Sequence, residues 1–176
     1  EKAVKIGVAE LAGRGHSRIG MITLPLGRQP ITPRKERLGG FRKAMEEAGL
    51  PLREEYILSA AAEEIADKLA GLMTLPEPPT AVIAANDIVL AELLKASNRQ
   101  GIAIPGQLSV IGIDDAEFAQ IYNPAITTLS QPAHEIGAQA AKIIVSGIED
   151  KEKLVPITYR FAPSLRSGAL VKNLQS

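Results

Sequence analysis

The chain contains no cysteine, which excludes disulfides, thiol nucleophiles and thiolate metal sites and leaves the cellular compartment open. It has no net charge either: twenty basic residues balance twenty acidic ones. A domain built to hold phosphates is usually basic, so this stretch does not read as a nucleic-acid-binding part. Aromatic residues make up 3% of the chain, which leaves few side chains to stack on flat ligands. Neither a charged leader with an apolar core nor any long apolar run occurs, so the segment reads as soluble, with no membrane partner.

What is present is ordinary for a globular protein. At 176 residues, with 45% apolar and 23% charged positions, the chain can bury a sizeable core as one domain or two small ones. Its centre runs from Pro79 to Asp115. Ala81 to Ala85 is an uninterrupted apolar run, and Leu108 to Ile113 is much the same. Strands covered on both faces have this pattern, and parallel sheets are made of them. Between the two lies a helix with Leu90, Leu93, Leu94 and Ser97 along one side and Gly101 as its stop. In open α/β sheets, ligands sit beyond the carboxyl ends of the strands. Asn86 and Asp114 both fall there.

The flanks repeat the strand-helix rhythm. A helix from about Lys2 to Arg14 carries Val4, Val8, Leu11 and Ala12 on one face, and Ile19 to Leu24 reads as a buried strand. Thr32 caps a helix with Pro33 at its first position and a stripe of Leu38, Phe41, Met45 and Ala48. A short strand at Tyr56 to Ser59 and a helix bearing Ile65, Ala66, Leu69, Leu72 and Met73 follow. Beyond Asp115 the pattern predicts one helical turn before Pro124 and a short strand at Thr127 to Ser130. A long helix then opens at Pro132 with Ile136, Ala140, Ile143, Ile144 and Ile148 on one face. Leu154 to Phe161 reads as the last strand, and the tail from Ala162 as loosely ordered. The class is α/β, a mainly parallel sheet flanked by helices.

Several features have plain explanations. Gly13, Gly15 and Gly20 precede a strand instead of following it, which is wrong for a dinucleotide loop. His16 reads as a residue at a helix C-terminus rather than a catalyst. His134 has no candidate co-ligand near it in sequence, so neither a metal nor a cofactor is expected. Asp114, Asp115 and Glu117 open a magnesium-dependent phosphotransfer reading, but no nucleophile-base pair or phosphate loop accompanies them. Asp115 is taken as structural. Asn86 and Asp87 serve equally as a helix cap, and Arg37 equally as a surface residue.

A family resemblance runs through the chain in order. Gly15-His16-Ser17-Arg18-Ile19-Gly20, Arg37-Leu38-Gly39-Gly40-Phe41 and Pro78-Pro79-Thr80-Ala81 open it. Ala85-Asn86-Asp87, the stretch from Ser109 to Asp115, and the stretch from Pro124 to Pro132 continue it. Together these segments resemble the effector-binding region of LacI-family transcriptional regulators. The resemblance implies a periplasmic-binding-protein-like fold of two α/β lobes around a cleft. Residues 1–131 would form the C-terminal lobe. Residues 132–150 would cross to a helix of a mostly absent N-terminal lobe, and residues 151–176 would return as strand and tail. Most of that first lobe and a helix-turn-helix head would precede Glu1.

The same resemblance implies that Arg37, Asn86, Asp114 and Gln131 hold a small, sugar-like effector, and that Ile88, Ala91 and Tyr122 contact a second copy in a homodimer. Operator DNA would be bound only through the absent head, in the cytoplasm, and no reaction would be catalysed. A guanidinium fork, an amide and a carboxylate can together satisfy vicinal hydroxyls. The alternative is a periplasmic sugar receptor of a transport system. Two positions depart from the family's pattern. Pro33 stands where many relatives carry a small hydroxyl residue, and Ala61 stands near where many carry an aromatic platform.

Overall fold

Uninterrupted apolar runs become the middle of the sheet. A computed structural model describes residues 1–27, 32–114, 116–149 and 156–175. In it β1 (Ile19–Thr23), β3 (Ala81–Ala84) and β4 (Ser109–Ile113) are buried along their whole lengths. Around them lie α1 (Lys2–Gly13), α2 (Thr32–Glu47), β2 (Ile57–Ser59), α3 (Ile65–Met73) and α4 (Asp87–Gln100). The chain continues through α5 (Glu117–Ile121), β5 (Thr127–Ser130), α6 (Ala133–Glu149) and β6 (Ser164–Arg166). The strands form one sheet in the order β2-β1-β3-β4-β5-β6. The first five are parallel, and β6 pairs antiparallel with β5.

Side chains alternate across this sheet because successive residues of a strand point to opposite faces. Ile22, Val82 and Val110 pack on one side with Leu69 and Leu72 of α3 and Leu90, Leu93 and Leu94 of α4. Met21, Ile83 and Ile111 pack on the other with Val4, Val8 and Leu11 of α1 and Phe41 and Met45 of α2. After β1 the chain builds outward to β2, then returns to place β3 on the opposite side of β1. Connections leaving the carboxyl ends of β1 and β3 therefore diverge, and a crevice opens there.

The carboxyl end of the sheet is where α4 begins. Asn86 Oδ1 accepts a hydrogen bond from the Val89 N–H at 2.9 Å, capping the helix. The helix ends at Gly101, whose φ of 68° is the left-handed conformation of a C-terminal stop.

Two expectations for the C-terminal part are corrected. The last strand is not Leu154 to Phe161: Leu154 lies outside the described residues, residues 156–161 have no strand structure, and the sheet gains Ser164–Arg166 instead. Apolar, β-branched LVPITYRF looks the better strand by propensity. The pairing is decided by Thr128, Leu129 and Ser130, which meet Arg166, Leu165 and Ser164.

The tail is not loose either. Leu170 and Val171 are buried, Leu170 in the α3/α4 layer and Val171 in the α1/α2 layer. The Val110 N–H donates to the Leu170 carbonyl at 2.8 Å, and the Lys172 N–H to Ser109 Oγ at 2.9 Å. Arg14 Nη1 donates to the Val171 carbonyl at 3.1 Å. A Cβ on Gly168 would lie 2.3 Å from the Ala125 carbonyl oxygen, so only glycine fits where this strap turns under β5.

α6 is different in kind. None of its described side chains is buried, and Ile136, Ile144, Val145 and Ile148 are exposed.

Candidate functional site

Arg37 stands in the second turn of α2, and the apolar stripe behind it (Phe41, Ala44, Met45) fixes the helix against the sheet. Its guanidinium reaches the carboxyl ends of two adjacent central strands. Nη1 donates to the Ala85 carbonyl, just past β3. Nη2 lies 3.0 Å from each carboxylate oxygen of Asp114, just past β4. The two side chains retain 17% and 35% of their exposure, so the pair is half sheltered and still reachable from solvent. Gln131, immediately after β5, donates Nε2 to Asp114 Oδ1.

Asp114 has φ of 77°, the sole non-glycine residue with positive φ among those described. Aspartate and asparagine tolerate this region better than other residues, at some local cost. Its N–H donates to the Leu129 carbonyl at 3.0 Å, which holds the turn against β5. Such conformations cluster at ligand clamps and switch regions. The turn aims the carboxylate back over the sheet end, where Arg37 and Gln131 meet it.

Three of the four expected ligand contacts are thus joined by hydrogen bonds. Arg37 and Gln131 also line a cavity of about 790 Å³, together with Pro33, Ile113, Pro132 and Ile136. That volume lies in the range of small-molecule sites. Asp114 borders the cavity through its two partners instead of lining it. Asn86 sits apart. It is half-buried, its Oδ1 is taken by the α4 cap, and its Nδ2 donates to no described residue. An amide can cap with its oxygen and still offer two N–H donors.

The residues expected to meet a second copy follow the same rim. Ile88 and Tyr122 are exposed, at 48% and 39%, and Ala91 is half-buried. Ile121, which the sequence pattern does not single out, is 85% exposed at the end of α5. One helical turn has no periodicity from which an outward face can be read. Asp115 lies outside the described residues.

His16 belongs to the other end of the sheet. Its ring is buried, with Nδ1 2.9 Å from Thr80 Oγ1 and Nε2 3.0 Å from the Lys172 carbonyl. Burial holds its pKa below the usual histidine range. The hydrogen bond to Lys172 partly offsets this, and Arg14 adds to it. It fastens the C-terminal strap and is remote from the cavity.

Comparison with known proteins gives this geometry its setting. Residues 8–167 match the family model described as a periplasmic binding protein-like domain. The probable HTH-type transcriptional regulator EndR of Paenibacillus polymyxa is 42% identical over 153 residues, covering 87% of this chain and 45% of EndR. The HTH-type transcriptional repressor PurR of Actinobacillus pleuropneumoniae is 33% identical over 172 residues, 96% of this chain and 50% of PurR. The chain spans about half the length of these curated relatives. A crystal structure of a LacI-family regulatory protein from Chloroflexus aggregans superposes with a TM-score of 0.82 at 29% identity, covering 96% of this chain and 60% of that one. The chain belongs to the periplasmic binding protein-like domain family, in the form carried by the LacI family of transcriptional regulators.

Proposed function

We propose that this chain is the effector-sensing and dimerising region of a bacterial LacI-type regulator that acts in the cytoplasm and catalyses no reaction. A small, sugar-like molecule binds at the carboxyl rim of the sheet, against Arg37, Asn86, Asp114 and Gln131. Binding favours one arrangement of the regulator over another and so changes how DNA-binding heads are held on an operator. The observation that carries this reading is the convergence of Arg37, Asp114 and Gln131 beside the cavity, at the rim where α/β sheets take ligands.

In this proposal residues 1–131 and 151–176 belong to one lobe, and residues 132–150 to the other. The exposure of Ile136, Ile144, Val145 and Ile148 supports it. Four large apolar side chains on one otherwise unsupported helix are ordinarily covered. The experiment is calorimetric titration of the regulator's complete reading frame with a panel of neutral sugars, repeated on Arg37→Met and Asp114→Asn. Saturable binding that is lost in both variants, with operator binding kept, supports the site. Undiminished affinity in both variants overturns it.

A further inference from the structure

We propose that the imidazole of His16 is a proton-operated latch on the C-terminal strap: neutral, it pins residues 168–175 across the amino end of the sheet, and protonated, it lets them go. The latch is independent of what binds at the rim. The strap ties the two core layers together, since Leu170 is buried in one and Val171 in the other. It also follows directly from β6, and Tyr159, Arg160, Phe161 and Pro163, just ahead of β6, line the cavity. Release of the strap therefore loosens the sheet edge to which those residues are tethered.

The ring's partners fix its tautomer. A carbonyl only accepts, so Nε2, 3.0 Å from the Lys172 carbonyl, carries the proton. Nδ1 is then the acceptor, and the Thr80 hydroxyl donates to it at 2.9 Å. Both nitrogens of the neutral ring are satisfied in a site that is 2% exposed. A second proton turns Nδ1 into a donor. The Thr80 hydroxyl must then swing to the Arg18 carbonyl, 3.4 Å away, which is long for such a bond. The seat is built for one protonation state.

The surrounding charges oppose a second proton as well. α1 brings Glu10 and Arg14, already paired with each other at 2.7 Å. Arg18, ahead of β1, is bonded to the Pro78 carbonyl, and the strap's own cation, Lys172, is exposed. Among the described residues no carboxylate bonds the ring. A helix C-terminus favours positive charge, but the Leu11 and Ala12 carbonyls of α1 already accept from the N–H groups of Arg14, Gly15 and His16. Burial holds the pKa of His16 down; the Lys172 carbonyl offsets part of this, and Arg14 adds to it. A histidine freed into water binds its proton more readily. The closed strap is therefore favoured above the ordinary histidine value of about 6.5 and loses ground as pH falls below it.

The test is amide hydrogen exchange of the complete regulator at about pH 7.5 and pH 5.5, read by mass spectrometry as protection factors corrected for the intrinsic pH dependence of exchange. The strap's N–H groups of Ala169, Lys172 and Leu174 are bonded to the Ala125 carbonyl, Ser109 Oγ and the Arg14 carbonyl. Their protection is expected to fall about three- to ten-fold at the lower pH, the range open to one histidine titrating near 6.5. Protection across β3 and α4 should hold, because the opening is local. In His16→Gln an amide can make both bonds without titrating, so the strap should be equally protected at the two pH values. Exchange of the imidazole C2 hydrogen in the unmodified regulator gives a second reading that needs no variant, and His16 should titrate below about 6.5. Strap protection that ignores pH, a loss shared equally by β3 and α4, the same loss in His16→Gln, or His16 titrating at or above that value would each overturn the latch.

Discussion

Arg37 and Asp114 are 77 positions apart in the chain, yet a single guanidinium nitrogen lies 3.0 Å from both oxygens of the carboxylate. One residue rides on a helix packed against the α1 face of the sheet, and the other sits on a left-handed turn at the end of a central strand. The bond between them ties the start of α2 to the rim where β3 and β4 end. It shapes a polar edge that ordinary packing would not produce.

Removing the guanidinium should be felt in stability as well as in binding. Arg37→Met leaves Asp114 with Gln131 alone and takes the donor from the Ala85 carbonyl. Because the pair is partly exposed, solvent screens it, and the expected loss is about 1 kcal/mol. In a domain of this size that lowers the melting temperature by about 2–4 °C. A thermal melt reads the loss directly. An unchanged melt would mean that the ion pair contributes nothing to the fold.

Asn86 caps α4 with its oxygen, and a donor role for its Nδ2 can be tested apart from the cap. Asn86→Ala removes the oxygen that holds the Val89 N–H and should cost about 1 kcal/mol. Asn86→Asp retains a capping oxygen and so should melt like the parent, but it has no Nδ2 to give. If Asn86→Asp melts normally and loses neutral-sugar affinity, the amide is a ligand contact. If both properties are unchanged, it is a cap alone.

The parts of the fold that could be read from the sequence are those where one local pattern decides. Ala81 to Ala84 is buried on both faces because it has no polar residue to expose, and Gly101 ends α4 because the chain needs a left-handed residue there. β6 was not legible, since the three residues Ser164–Arg166 owe their strand to pairing with β5. Nor was the strap, whose burial depends on just Leu170 and Val171 in a polar tail. At the site, residue types and strand ends pointed to Asn86 and Asp114. The bond from Arg37 to Asp114 joins distant segments, and no spacing encodes it. Gln131's donation to the same carboxylate was equally invisible until β5 was placed beside β4.

His16 should make the fold sensitive to mild acid. Its pKa is lowered in the folded state, so the unfolded chain binds the proton more readily. Stability is then complete above the ordinary histidine value of about 6.5 and falls as pH drops below it. The carboxylates whose pKa values are lowered, Glu47, Glu54 and Glu77, act in the same direction only at more acid pH, where carboxylates titrate. Denaturant melts between about pH 7.5 and pH 5.5 should show a decline that is absent in His16→Gln. Equal slopes in the two proteins would mean that protonation is tolerated in place, with Thr80 turning its hydroxyl toward the Arg18 carbonyl.

The strap should carry stability out of proportion to its length. Leu170→Ala empties a fully enclosed position beside α4 and should cost about 2–5 kcal/mol. Ile148→Ala removes a larger exposed surface from α6 and should fall within about 0.5 kcal/mol of the parent. Urea titration of the two variants gives the comparison. Similar midpoints would mean that the tail does not close the core.

Self-association is the last expectation, and it turns on side chains that fold stability does not need. Single exposed apolar residues are common on monomers, but Ile88, Ile121 and Tyr122 all follow the carboxyl ends of the adjacent strands β3 and β4. Contiguous exposed apolar side chains mark contact surfaces. Ile121 is the most exposed of the three, at 85%, so Ile121→Asp should leave the fold intact while placing a charge in the contact. Sedimentation of the complete regulator should show a dimer that Ile121→Asp shifts toward monomer. Because a dimer is stabilised by mass action, the parent's melting temperature should rise with protein concentration, and the variant's should not. A variant that sediments as the parent does would remove Ile121 from the interface and leave Ile88, Ala91 and Tyr122 as its remaining candidates.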